Sequence, residues 1–376
     1  MEAIAKWIER MRGAQDSSLQ EYLLTVLAPG LQGLDLKDCI IAADPKCTLA
    51  PRPGDSTPVS MSVLRYFDVV QENIKLEETQ ELADELAAIF SLATERRIII
   101  PKTQALRIEG SQRVTFIAYG AAVDRRLHGP APENLETTIH DLLSKFAGLP
   151  PEARPVLGAA AKLHHSAVEI FENDLRAAYL LLVAGIELLS REFGSPPSDW
   201  CDWEGSEAWE KTFEATALSE EQRSAVRSQL MIDKQLRLKA TFREYASTRL
   251  PESFWDEPWE SWIHTYNASE GKWLEAPPYL LETRKMCDIL HRDRKSLSQL
   301  LGRAYDIRSA LVHRGELLML IDNAVGFAAT ADSQRPLAFP VLRSVLRCLI
   351  KTEVEALTKP VALPSFRFPR PIQAKV

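Results

Sequence analysis

Residues 303–316 read RAYDIRSALVHRGE, and in this stretch Arg308 precedes His313 by five positions. The stretch is predicted to close a helix over residues 296–314, because Gly315 is a residue type that commonly follows a helix C-terminus. A helix turns about 100° per residue, so five positions place the two side chains roughly 140° apart around the axis. One helix therefore does not direct both side chains at a single group, whereas a cleft between two such helices does.

The residue types of this stretch suit chemistry at a phosphate group. Histidine titrates near neutral pH and can act as a general acid or base, which makes His313 the first catalytic candidate. Arginine stays charged and offers a planar fork of donors to phosphate oxygens, which makes Arg308 the second. Ser309 is a candidate donor to a phosphate, and Asp306 is a candidate to orient Arg308 or His313.

The chain is predicted to be helical from about residue 154 onward. Asp174 is a predicted N-cap and Gly194 a predicted end for one helix, whose apolar run 178–189 contains Glu187. A carboxylate in an apolar helix needs a partner, so Glu187 is expected to hold Arg308 or a dimer contact. The predicted helices cover 155–172, 175–193, 219–247, 280–290, 296–314 and 340–358.

The first 150 residues have a mixed character. Helices are predicted at 2–12, 18–28 and 75–95, and short β-branched runs predict strands at 97–101 and 113–119. Residues 44–58 are rich in proline and predict a loop, and three prolines within 148–155 mark a boundary. The predicted fold is mainly α: an α+β domain over 1–150 and a helical bundle over 151–376.

A segment at about 195–279 is predicted to be an insertion in the bundle. Its first part is acidic, with eight Asp or Glu against two Lys or Arg between Asp199 and Arg223. Three interpretations stay open: packing on the helical core, recognition of a partner, since tryptophan is enriched at binding hot spots, or an acidic cover over a basic cleft. The segment holds seven of the eight tryptophans, namely Trp200, Trp203, Trp209, Trp255, Trp259, Trp262 and Trp273.

Charge is distributed unevenly along the chain. The formal net charge is −7, whereas proteins that coat nucleic acid non-specifically are basic. The segment from Leu281 to Arg314 nevertheless has eight Lys or Arg against four Asp or Glu, a net of +4. A local basic cleft is therefore expected to bind a nucleic-acid backbone. The candidates for this contact are Arg292, Arg294, Lys295, Arg303 and Arg314.

The sequence lacks the patterns typical of zinc-ribbon, secreted and membrane-spanning proteins. The five cysteines are scattered and none forms a Cys-x-x-Cys pair, so we expect free thiols in a reducing compartment and no zinc ribbon. The charged N-terminus is unlike a signal peptide, and the apolar run 177–189 is too short to cross a bilayer. A cytoplasmic protein without metal or cofactor is expected.

The motif and its setting resemble the HEPN superfamily, and the wording Tyr305-Asp-Ile-Arg-Ser-x-x-x-His is similar to its ApeA-like branch. The Glu187 helix and the preceding Leu163-His-His-Ser-Ala run extend the resemblance over roughly 154–358, interrupted by the insertion. It implies metal-independent cleavage of tRNA or mRNA by attack of the 2′-hydroxyl, with Arg308 and His313 catalytic.

The resemblance also implies a two-fold homodimer with a composite cleft, a role as a toxin or antiviral defence effector, and a sensor or regulatory role for residues 1–150, with a regulatory partner protein. One departure concerns Gly315, which stands where some HEPN toxins have a tyrosine that an antitoxin modifies. The alternative is a non-catalytic HEPN module for assembly or for binding RNA or nucleotide. In that case Arg308 would serve as a structural ion pair with Asp306 or Glu187.

Overall fold

The computed structural model describes residues 1–12, 19–26, 35–36, 40–42, 47–49, 59–69, 76–94, 98, 105–107, 135–171, 174–203, 205–232, 234–259, 265–267, 272–274, 284–314 and 337–359. Helices predominate among them, which confirms the mainly α fold class.

Two compact units make up the chain. The first comprises Met1–Glu172, Ser261–Glu282 and Glu353–Val376, and the second comprises Asn173–Glu260 and Thr283–Thr352. These units divide the chain at other places than the predicted domains 1–150 and 151–376, since residues 151–172 belong to the first unit. The domain assignment stays a prediction.

In the first unit, helices α1 (Glu2–Arg12), α2 (Leu76–Thr94), α3 (Leu135–Ala147) and α4 (Arg154–Ile170) pack together. Apolar residues recur at helical spacing, so each helix has a face that it buries; Trp7, Phe90 and Phe146 are fully enclosed. The buried Glu85 accepts a hydrogen bond from the Ile4 backbone N–H at 3.0 Å. The predicted helices 2–12, 75–95 and 155–172 are confirmed.

The strands of the same unit are β1 (Leu19–Val26), β2 (Asp35–Leu36), β3 (Ile40–Ala42), β4 (Cys47–Leu49), β5 (Val59–Val69), β6 (Ala105–Arg107), β8 (Thr265–Asn267) and β9 (Lys272–Leu274). An antiparallel sheet has the strand order β2-β3-β5-β1-β6, with β4 also paired to β5. The register of β1 on β5 runs from Leu19↔Val69 to Val26↔Ser62. A separate strand pair joins β8 to β9.

The structure departs from the sequence predictions at two places in this region. The predicted helix 18–28 is wrong, because strand β1 covers Leu19–Val26 and pairs with β5 on one side and β6 on the other. Long-range pairing along the whole segment overrides its amphipathic pattern. The predicted loop 44–58 contains strand β4. The predicted strands 97–101 and 113–119 lie outside the described residues, except for the buried Ile98.

In the second unit the helices are α5 (Leu175–Phe193), α6 (Ser206–Ala215), α7 (Glu220–Ile232), α8 (Leu238–Arg249), α9 (Met286–Leu290), α10 (Arg294–Arg314) and α11 (Phe339–Leu357), whose last residues belong to the first unit. A short strand pair joins β7 (Pro258–Trp259) to β10 (Arg284–Lys285). Helix α8 packs against both α5 and α10. These three helices form the framework of the candidate site.

Local signals set the ends of α5 as predicted. The Asp174 side chain accepts hydrogen bonds from the backbone N–H groups of Arg176 (3.1 Å) and Ala177 (3.0 Å), and the Gly194 N–H donates to Ser190 at the other end. In the middle of α5, Gly185 permits close packing with α11, because a Cβ there would lie 2.7 Å from a methyl group of Leu346. Helix α5 is therefore a core helix.

The predicted single helix 219–247 is wrong. A 3-10 turn at Lys234–Arg237 separates α7 from α8. Arg237 is buried at this turn and donates to the carbonyl oxygens of Pro197 and Met231. These backbone acceptors satisfy the buried guanidinium at the turn, and the periodicity of side chains in the sequence gives no sign of them. Helix α8 lies within the predicted insertion 195–279, yet it belongs to the packed framework of this unit.

Candidate functional site

Arg308 and His313 both lie in the last two turns of α10. Leu297, Leu301 and Ala304 form part of the buried stripe of this helix. Arg308 is partly exposed, at 26% of its side chain, and His313 is exposed. Among the described residues His313 has no hydrogen-bond partner. Its ring is therefore accessible to a ligand.

A buried carboxylate on the neighbouring helix α5 holds Arg308. Glu187 is only 4% exposed, and its Oε2 lies 3.4 Å from Nε of Arg308. Its Oε1 accepts a hydrogen bond of 2.5 Å from Arg191, one turn further along α5. Of the two ion pairs considered for Arg308, the structure contains the one with Glu187.

Asp306 points to a different partner. Its Oδ2 accepts a hydrogen bond of 2.9 Å from Nζ of Lys239 on α8, so this carboxylate links α10 to α8. Both side chains are partly or largely exposed, and an ion pair of this kind stabilises a fold little. The predicted role of Asp306 in orienting Arg308 or His313 stays a prediction.

Tyr305 lies three positions before Arg308 and four before Ser309, so it neighbours both residues along the surface of the helix. The Tyr305 ring packs against Phe242 of α8 with 5.3 Å between ring centroids. Burial, and secondarily the charge of Glu187, raises the pKa of the Tyr305 phenol, so its hydroxyl stays protonated at neutral pH and can donate. Ser309 is partly exposed one helical turn before His313.

The five predicted RNA-binding residues do not form one group. Arg294 lies fourteen residues before Arg308, which corresponds to about 21 Å along the helix axis. It donates to the carbonyl oxygens of Ser247 (2.6 Å) and Leu250 (3.2 Å), while Arg292 donates to Asp256 at 2.7 Å. The Asp256 charge raises the pKa of Arg292.

The other three candidates occupy different positions on α10. Lys295 is exposed near the start of this helix, Arg303 is partly exposed, and the side chain of Arg314 lies outside the described residues. Among the predicted RNA-binding residues whose side chains are described, Arg303 is the nearest to Arg308 in the sequence, five positions away. The predicted RNA contact of all five residues stays a prediction.

Arg191 is the site residue that the sequence interpretation missed. The spacing carried a signal, since a glutamate followed four positions later by an arginine is a favourable pair on a helix. That pattern is common on helix surfaces, so it did not distinguish Arg191 from other charged residues. Only the packing of α10 on α5 places Arg191 and Arg308 at one carboxylate.

The first part of the predicted insertion forms an aromatic cluster of its own, made by Trp200, Trp203, Trp209 and Phe213. Trp200 lies 5.4 Å from Trp203 and 6.1 Å from Phe213 between ring centroids, and Trp203 is buried. Gly205 permits close packing, because a Cβ there would lie 2.5 Å from the Trp203 ring. These contacts favour the packing interpretation for this part of the segment.

Three acidic residues of this segment, Glu207, Glu210 and Glu220, pair with cations nearby in the sequence. Arg227 donates to both carboxylate oxygens of Glu210 at 2.8 Å and to Glu220 at 2.7 Å, while Lys211 pairs with Glu207 at 2.9 Å. Trp200 adds a hydrogen bond of 2.6 Å to Glu210. These contacts do not support the interpretation of this acidic segment as a cover over a basic cleft.

Acid is expected to loosen this aromatic cluster. Hydrogen bonding by Arg227 lowers the pKa of Glu210 from its ordinary value of 4.5. The folded state therefore favours the charged carboxylate, and this contribution to stability is present above pH 4.5 and is lost as pH falls through the lowered pKa. Tryptophan emission followed from pH 7 to pH 2 is expected to show a step below pH 4.5. The Glu210→Gln protein is the control, and an unchanged step in it would contradict the assignment.

Two kinds of feature are absent from the part of the chain that the structure describes. No group of three or more His, Cys, Asp or Glu side chains there has the arrangement of a metal site. No described helix combines the length and apolar character needed to span a bilayer. The described cysteines Cys201, Cys287 and Cys348 are free thiols.

Comparisons with protein-family models, with curated proteins and with solved structures found no match to this chain.

Proposed function

We propose that this protein is a HEPN-type, metal-independent endoribonuclease in which Arg308 and His313 are catalytic. One observation carries the proposal: Nε of Arg308 lies 3.4 Å from Oε2 of the buried Glu187, while His313 is exposed in the same helix. Among the described residues the two Nη groups of Arg308 make no hydrogen bond, so they can donate to phosphate oxygens. RNA, either tRNA or mRNA, is the proposed substrate.

In the proposed reaction the 2′-oxygen of RNA attacks the adjacent phosphorus. The bond from phosphorus to the 5′-oxygen breaks, which leaves a 2′,3′-cyclic phosphate, or its 3′-phosphate after hydrolysis, and a 5′-hydroxyl. The 2′-hydroxyl loses a proton and the leaving 5′-oxygen gains one; His313 performs one of these transfers as general base or acid, and water performs the other. Arg308 stabilises the charge that develops on the phosphate oxygens.

A homodimer is part of the proposal. His313 lies about 7.5 Å beyond Arg308 along the axis and roughly 140° around it, so two copies of α10 serve one phosphate better than one copy. Val312, next to His313, is 56% exposed and offers an apolar side chain that a second copy can cover. Sedimentation of the chain as a monomer at micromolar concentration would remove this part of the proposal.

The finer fold is proposed as well. Residues 151–376 are a HEPN-like bundle with a tryptophan-rich insertion, and residues 1–150 are an α+β domain that acts as sensor or regulator in a cytoplasmic toxin or defence effector. Strands β1–β6 and helices α1–α3 all lie within residues 1–150, which supports the α+β assignment. A regulatory role requires that substitutions in β1–β6 change activation; unaltered activation would count against it.

A non-catalytic HEPN module is the second candidate. The ion pair of Arg308 with Glu187 favours it, because this contact also joins α10 to α5 and so has a structural use without catalysis. Such a module would bind RNA or nucleotide, or assemble with a partner, and would leave RNA intact.

The test is incubation of the purified protein with a pool of tRNA and mRNA in the presence of EDTA. Cleavage that persists in EDTA and leaves 5′-hydroxyl ends is expected, since no step of the proposed reaction uses a metal ion. The 5′ ends are measured by labelling with polynucleotide kinase before and after phosphatase treatment. Intact RNA, together with unaffected growth of a bacterial host that overexpresses the protein, would favour the non-catalytic module.

A further inference from the structure

Two guanidinium groups converge on one carboxylate at the candidate site. Arg191 from α5 approaches Oε1 of Glu187, and Arg308 from α10 approaches Oε2 of the same carboxylate. Arg191 donates one hydrogen bond from Nη2, and Nε of Arg308 lies 3.4 Å from the carboxylate. A guanidinium carries five N–H donors, so most donors of both groups are left for another acceptor.

The charges of this trio are arranged with the positive groups outward. The Arg191 side chain is 48% exposed and that of Arg308 is 26% exposed, whereas the Glu187 side chain is 6% exposed. Two positive charges face one negative charge, which leaves one positive charge in excess. An anion that approaches from solvent meets the guanidinium donors before the carboxylate.

The side chains around this trio add one neutral hydrogen-bond donor, and the nearby carboxylate on α10 is neutralised by a partner. The Tyr305 hydroxyl is protonated at neutral pH and lies within electrostatic range of Glu187, Arg191 and Arg308. Asp306, the other carboxylate nearby on α10, is paired with Lys239. A phosphate group suits such a site, since paired arginines match its oxygens in geometry and charge.

We infer that Arg191 and Arg308 together bind one backbone phosphate of an RNA strand and that Glu187 positions both. This inference rests on the proposed function for the choice of RNA as the ligand. Arg191 is then a second phosphate-binding residue, supplied by a different helix from the Arg308–His313 motif. Glu187 acts through the two arginines and does not touch the RNA.

The experiment measures binding separately from cleavage. The full chain is titrated into a fluorescent RNA strand whose 2′-hydroxyls are all methylated, so that the attacking group is absent, over a series of salt concentrations. Arg191→Ala is expected to weaken binding about tenfold and to reduce the slope of log affinity against log salt by about 0.7, the amount for one lost phosphate contact on a single strand. Arg191→Lys is expected to keep the slope and to lose part of the affinity, because it keeps the charge and loses the fork.

Lys211→Ala is the matched control. It also removes one positive charge, from an exposed side chain of α6 that pairs only with the exposed Glu207 among the contacts described. This variant is expected to bind like the wild type. Equal affinity and slope for Arg191→Ala and the wild type, with both folded by circular dichroism, would overturn the inference, as would a wild type that does not bind the strand.

Two further arms separate the possible outcomes. ATP is tested as a competitor, and equal affinity for ATP and the strand would assign the site to a free nucleotide and overturn the assignment to RNA. Loss of binding in Arg191→Ala without any cleavage of ordinary RNA by the wild type would support the phosphate site while the proposed ribonuclease fails. Cleavage that depends on His313 but not on Arg191, in KM or in binding, would support the ribonuclease and overturn the inference.

Discussion

Replacing His313 with alanine is expected to lower the rate of RNA cleavage by about 10²–10⁴-fold, the usual contribution of a general acid or base. The side chain is exposed and makes no hydrogen bond to another described residue, so its loss is expected to leave the thermal unfolding midpoint unchanged. Single-turnover cleavage and circular dichroism measure the two effects. His313 gives a cleaner test than Arg308, because Arg308 also neutralises the buried Glu187.

The control for this variant is another exposed histidine. His291 follows α9 with a φ of 52°, in the left-handed region that asparagine tolerates, so His291→Asn removes an imidazole at little conformational cost. This protein is expected to cleave like the wild type. Cleavage by His313→Ala at the wild-type rate would show that the active site lies elsewhere or that the activity is a contaminant.

Trp255→Ala is expected to lower the free energy of unfolding by about 3–5 kcal/mol, as for other large aromatic residues truncated in a core. Trp255 is 1% exposed, packs edge-on against Phe254 at 5.4 Å and carries the Arg294 guanidinium 6.0 Å from its ring centroid. Urea unfolding followed by circular dichroism measures the loss. The variant removes both a buried ring and the platform on which Arg294 is held.

Trp209→Ala is the comparison for this second variant. Trp209 is partly exposed and contacts Phe213 at 5.9 Å, so its truncation leaves a smaller cavity and a smaller loss of stability. A loss for Trp255→Ala no larger than for Trp209→Ala would contradict the description of Trp255 as a core residue. The same pair of variants separates tryptophans that hold the fold from those at its surface.

Seven tryptophans within one segment suggested a single insertion, and the structure assigns the described ones to different places. Trp200, Trp203 and Trp209 belong to the aromatic cluster around Phe213, while Trp255 packs beside α9. Composition shows that a segment differs from its surroundings but does not show which residues pack together. The side chains of Trp259, Trp262 and Trp273 lie outside the described residues.

The basic residues of 281–314 show the same limit. Their charges were counted as one patch, yet Arg292 and Arg294 are engaged with Asp256, Glu252 and backbone carbonyl groups near the start of α10. A count of charges along the sequence ignores which of them are neutralised by partners from distant segments. Arg191, by contrast, lay outside the counted segment and shares a carboxylate with Arg308.

Residue patterns along the chain predicted the helical character of this protein, the ends of α5 at Asp174 and Gly194, and the positions of Arg308 and His313 near the end of a helix. These features follow from contacts between residues a few positions apart, where periodicity and capping act. Long-range packing, in contrast, makes residues 19–26 a strand, separates α7 from α8 and brings Arg191 and Arg308 together at Glu187. Each of these depends on partners far away in the chain, and local sequence does not encode which distant partner is chosen.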